Sequence, residues 1–150
     1  MLKLGLNLSL SSLRPMGGWS PDDETSLVAW YQNAVGITLN GSDVSDWADS
    51  APAGLYDMEQ NNTAQQPAYS AGTLTFTSAN KDNLELPALS TISLSGDFTI
   101  GIKCFPTNFN NALLGRNQAT GEFFKYTTST NLRVKIDNVS QNLPLDSGTF

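Results

Sequence analysis

The chain has 150 residues, one cysteine and no histidine; that length suits one domain burying roughly 70% of its unfolded surface. A lone cysteine excludes an internal disulfide, and the missing imidazole excludes Ser-His-Asp and Cys-His catalysis and a Cys/His zinc cluster. Eight Lys and Arg against 14 Asp and Glu give a net charge of -6, which argues against nucleic acid, because phosphate binding needs clustered cations.

The first predicted element is the clearest. Leu2, Leu4, Leu6, Leu8 and Leu10 alternate with Lys3, Gly5, Asn7 and Ser9, so an extended backbone puts every leucine on one side. A signal peptide would need a continuous apolar run instead, and nowhere does the chain approach the ~18 apolar residues of a membrane span. The breaker cluster Arg14-Pro15-Met16-Gly17-Gly18 follows, then Trp19 and the turn-forming Ser20-Pro21-Asp22-Asp23-Glu24. Residues 1–25 therefore read as an N-terminal arm and hinge, and residues 26–150 as the domain. The arm has two destinations: the first strand of its own sheet, or an edge strand of a neighbouring subunit. Its five leucines and Trp19 are the candidate assembly contacts.

Short β-type runs continue along the chain: Ser26–Tyr31, Thr73–Thr77, Asn83–Leu86, Phe98–Cys104, Glu122–Tyr126 and Leu132–Ile136. Turn-rich stretches separate them, among them Asn40-Gly41-Ser42-Asp43, Ser78–Asp82, Ser95-Gly96-Asp97 and Pro106-Thr107-Asn108. One short helical turn fits between Asp22 and Asn33, where Ser20, Asp22 and Asp23 can cap it. Many short strands with no amphipathic helix predict an all-β sandwich or barrel.

Residues 27–50 carry an apolar-Trp-Tyr segment (Leu27-Val28-Ala29-Trp30-Tyr31), a Gly-containing turn at Asn40-Gly41 and a Trp-x-Asp segment at Trp47-Ala48-Asp49. Phe76, Asn80, Asp82 and Leu84 follow at the spacing of a Phe, a polar turn and a Leu, and then comes Ser95-Gly96-Asp97-Phe98-Thr99-Ile100. Over residues 26–105 this pattern resembles concanavalin A-like, laminin-G-type jelly rolls of phage structural proteins and bacterial surface proteins. The resemblance implies a two-sheet antiparallel jelly-roll sandwich. It departs from the family at Ser50-Ala51-Pro52-Ala53-Gly54, where Ser-Gly-Asn-Gly is usual. At Ser147-Gly148-Thr149-Phe150 the family would continue with further strands, so the resemblance implies one of two things: a domain incomplete at its C-terminal end, or missing strands that are supplied otherwise. The leucine segment followed by Gly and Pro is similar to the arms of phage head and tail proteins.

Three constellations are candidates for binding or chemistry. Asp43, Asp46 and Asp49 recur every third residue; in a strand only Asp43 and Asp49 share a face, which makes them candidate calcium ligands, and calcium is the one cofactor the pattern admits. Phe109, flanked by Asn108, Asn110 and Asn111, offers an aromatic platform with amides for a glycan, against the alternative of a polar turn with Phe109 tucked under the sheet. Cys104 is in phase with Phe98, Ile100 and Ile102 and reads as a small core hydrophobe. Glu85, Asp97 and Glu122 are isolated carboxylates without the paired spacing of glycoside hydrolysis, so no enzyme activity is expected. Low charge content and abundant Ser, Thr, Asn and Gly suit a virion or extracellular β-protein. The reading that follows is a phage virion structural protein, decorating a capsid or belonging to a tail or fibre, whose partners are other virion proteins or copies of itself. The alternative is a lectin-like module on a phage or bacterial surface that binds cell-surface glycan.

Overall fold

An extended segment satisfies its backbone N–H and C=O groups by pairing with another such segment. In a computed structural model, which describes residues 19–87, 90, 92, 96–107, 109, 112–115, 122–136 and 139–144, nine strands pair in this way. They form two antiparallel sheets with almost no helix, so the all-β class follows. The chain divides into two compact units, Met1–Ser93 and Leu94–Phe150, and each contains one sheet.

The first unit holds β1 (Ile37–Asn40), β2 (Asp43–Trp47), β3 (Met58–Glu59), β4 (Ala68–Ser70) and β5 (Thr73–Thr75). Asn40 pairs with Asp43 across Gly41 and Ser42, and Gly41 sits at φ 67°, the positive φ that a two-residue hairpin loop with Gly first requires. β2 is central, with β1 on one side and β3 and β4 on the other. A second tight hairpin joins β4 to β5 through Ala71 at φ 49° and Gly72 at φ 77°. Val44 and Pro67 are fully buried, and the Val44 amide donates to the Pro67 carbonyl at 2.8 Å. Beside them two buried amides, Gln60 and Gln66, form a connected set. Gln66 Nε2 donates to the Gln60 carbonyl at 2.7 Å, Gln60 Nε2 to the Asn83 side chain, and Asn40 Nδ2 to Gln66 Oε1 at 3.1 Å. Buried amides stay inside a small core only when paired in this way.

The second unit holds β6 (Ala112–Gly115), β7 (Glu122–Thr128), β8 (Asn131–Ile136) and β9 (Val139–Pro144), joined in chain order as a meander. Phe124 opposes Val134, Tyr126 opposes Leu132, and Leu132 opposes Leu143, which collects these side chains on one face. On the other face Lys125 opposes Arg133 and Arg133 opposes Asn142. None of the described residues of this unit is buried.

Several sequence expectations need correction. Ser26–Tyr31 is not a strand, because the Trp30 amide donates to the Asp49 carboxylate and the Trp30 carbonyl accepts from Ser50, which takes both groups out of any ladder. Phe98–Cys104 is not a strand either. Its alternation does not bury it: Phe98 and Ile102 are exposed, while Ile100 and Cys104 are half-buried. Asn83–Leu86 contributes one isolated bridge, Glu85 to Glu59, and the helical turn reduces to a single 3-10 turn at Pro21–Asp23. The β5 run stops at Thr75, before the exposed Phe76.

Candidate functional site

Asp49, expected as a calcium ligand, is committed elsewhere. Only 8% of its surface is exposed, and its carboxylate accepts from three backbone amides: Trp30 at 2.8 Å, Ala51 at 2.9 Å and Tyr56 at 3.3 Å. The Asp49 amide in turn donates to Asp57 Oδ1 at 2.8 Å. A carboxylate that collects several N–H donors pins a loop with strong, charge-assisted bonds, so Asp49 fixes residues 30–31 and 51–56 against the end of β2. Asp43 lies at the other end of that strand, paired with Asn40 and Ala68. The two aspartates are not brought together, and no three Asp, Glu or Cys side chains among the described residues form a group that could hold a metal ion.

Tyr31 completes this corner. Its hydroxyl donates to the Tyr56 carbonyl, and its ring lies 5.6 Å from that of Trp47. Burial, helped by the negative charges of Asp49 and Asp57, pushes the phenol up to about 12. Trp47 Nε1 donates to the carbonyls of Gln32 and Val35, both at 3.1 Å. Trp30 and Trp47 are therefore half-buried structural anchors rather than sugar platforms.

Phe109 is 37% exposed; its neighbours Asn108, Asn110 and Asn111 lie outside the described residues. Leu2, Leu4, Leu6, Leu8 and Leu10 lie outside them too, whereas Trp19 is described and 60% exposed. Cys104 Sγ is 3.8 Å from the Tyr126 hydroxyl, and burial together with this contact raises the Tyr126 phenol.

The second sheet carries an apolar face. Ile100, Ile102, Leu113, Phe124, Tyr126 and Leu132 line a groove of about 170 Å³. The face continues over Leu132 to β9, where Val139 and Leu143 are 60% and 48% exposed. All six β9 residues are exposed, their register with β8 is unbroken, and no strand among the described residues pairs with the outer side of β9. Such a strand presents a row of backbone groups able to receive another strand. β9 is absent from the runs read from sequence; its signal is the apolar-polar alternation Val139-Ser140-Gln141-Asn142-Leu143, weak because only two of the three inward positions are apolar. Comparison of the chain with family models, with curated proteins and with solved structures finds no match.

Proposed function

We propose that the chain is a structural assembly protein of a phage particle, a capsid decoration or a tail or fibre component, attached through its leucine-rich arm. The observation that carries this reading is the second sheet: an amphipathic sheet whose apolar face is half-buried over β7 and β8 and whose edge strand β9 is exposed along its length, Val139 and Leu143 included. Contiguous exposed apolar surface of this kind marks an interaction site. The absence of histidine and the isolation of the carboxylates favour assembly over catalysis. A jelly roll of the concanavalin A-like kind belongs to the same proposal, and its support is the residue pattern over 26–105 together with the all-β content.

Replacing Leu4, Leu6 and Leu8 by Ser in the full chain tests the reading. Wild-type chain should sediment as an assembly at micromolar concentration, while the triple variant should sediment as a monomer with unchanged β-type circular dichroism. A wild-type chain that stays monomeric, or a variant that assembles equally well, would contradict it. A glycan-binding reading has one observation in its favour, the exposed Phe109. It requires glycan-array binding that Phe109→Ala removes, and a blank array contradicts it.

A further inference from the structure

The assembly reading leaves open what receives the arm, and the inference that follows rests on that reading. We infer that the leucine segment of one copy adds as a strand to the free edge of β9 in a second copy, extending the apolar face of that sheet.

Four observations converge on this edge. First, among the described residues β9 is the longest edge strand, with six residues against four in β1 and β6 and three in β5. Second, it is lightly guarded: Val139-Ser140-Gln141-Asn142-Leu143 contains no charged residue and no register shift, and the one blunting residue, Pro144, stands at the end of the strand, whereas edge strands that avoid pairing carry Lys or Pro, bulges or short lengths. At the other edge, β6 has two register shifts against β7 and ends in Gly115 at φ 82°, so it is bulged and unsuited to strand addition. Third, the two patterns match. Val139, Gln141 and Leu143 share the face of Leu132 and Val134, and Ser140 and Asn142 share the face of Arg133. A strand with Leu2, Leu4, Leu6, Leu8 and Leu10 on one side and Lys3, Gly5, Asn7 and Ser9 on the other continues both faces. At roughly 3.4 Å per residue nine such residues span about 30 Å, more than the roughly 20 Å of β9.

Fourth, within a single chain all six β9 residues are exposed, with Val139 at 60% and Leu143 at 48%. The occupant proposed is the leucine segment of another copy, and a chain's own segment is the alternative that the cross-linking below separates from it. Main-chain hydrogen bonds supply affinity in this mode and the alternating side chains supply register.

Cross-linking between two full-length variants in a Cys104→Ser background tests this directly. One copy carries a cysteine at Leu4, Leu6 or Leu8 in turn, and the other, distinguished by a mass tag, carries Gln141→Cys. A mixed disulfide should form at one of the three arm positions under mild oxidation, since facing residues of paired strands bring their β-carbons within about 5.5 Å. Separately, Val139→Lys with Leu143→Lys places charge on side chains that are already exposed, so the fold should persist by circular dichroism while assembly weakens at least about tenfold. Efficient linking of all three positions only within one chain, when both cysteines are placed on the same copy, overturns exchange between copies. If the Leu→Ser arm variant dissociates the assembly but no mixed disulfide forms and the β9 lysines leave assembly intact, the edge is the wrong receptor although the assembly reading stands. If neither set of variants changes the sedimentation of the wild-type assembly, both fail.

Discussion

Asp49 shows how one side chain can decide the conformation of a segment far from it in sequence. Its three backbone donors, on Trp30, Ala51 and Tyr56, come from both sides of the β2 strand end. Asp49→Asn removes the charge and turns one acceptor into a donor, leaving at least one buried amide facing the wrong group. Bonds to a charged acceptor contribute about 1.5–3 kcal/mol each, so chemical denaturation should show a loss of about 2–4 kcal/mol. Tyr31 makes a second prediction at this scale. Its phenol rises from 10 to about 12, so the fold favours the neutral form. The stabilisation is complete below pH 10, where both folded and unfolded chains are protonated, and is lost as pH rises through 12. The unfolding free energy of wild type across that window should fall more steeply than that of Tyr31→Phe; parallel profiles would refute the assignment.

At the scale of elements, turn chemistry is where the sequence is most readable and strand ladders least. Asn40-Gly41-Ser42-Asp43 was legible because the positive φ falls on a glycine, and β7 and β8 were legible because Phe124, Tyr126, Leu132 and Val134 alternate without interruption. Phe98–Cys104 carries equally good alternation, and Ser26–Tyr31 is a continuous apolar run after its serine. Apolar patterning reports which side chains leave water and says nothing of where the backbone finds its partners; in Ser26–Tyr31 the Asp49 carboxylate took that place. The β4–β5 hairpin escaped notice because Ala71 occupies a left-handed position that normally calls for Gly, Asn or Asp. A left-handed Ala costs about 1–2 kcal/mol, so Ala71→Gly should raise stability by about 1 kcal/mol, measured by thermal melting; a drop would show that the conformation is not strained. Gly36 is the opposite case. It has φ 67°, and a β-carbon there would meet the Ala48 β-carbon at 2.9 Å, so Gly36→Ala should destabilise by about 2 kcal/mol or more. A third element-scale feature is the row Asp46, Glu59 and Glu85, successive cross-strand partners of like charge. Like charges placed directly opposite oppose pairing, and Glu59→Gln should therefore raise the melting temperature, more so at low salt.

Over the whole molecule, charge is unevenly distributed. Residues 1–93 carry three basic and ten acidic groups, whereas residues 94–150 carry five basic and four acidic ones. Copies of a chain with net charge -6 repel one another, while strand addition through leucines and backbone amides has no ionic component to screen. Salt should consequently strengthen assembly; an assembly held by ion pairs would weaken. The candidate sites follow a similar logic of legibility. The leucine arm is plain in sequence because its period is unbroken, but its proposed receptor is not, because β9 becomes an edge only through the order β6-β7-β8-β9. Asp43 and Asp49 looked paired by periodicity, and the pairing failed because the strand ends at Trp47, before Asp49.

The most direct measurement of the central claim is amide hydrogen exchange along β9 in the full-length chain, compared between dilute and concentrated solution. Strand addition from a second copy predicts that the outward amides of Val139–Leu143 exchange quickly when dilute and become protected on concentration, and that Leu4→Ser with Leu6→Ser and Leu8→Ser abolishes the change. Rapid exchange throughout β9 in a concentrated, assembled sample would contradict it.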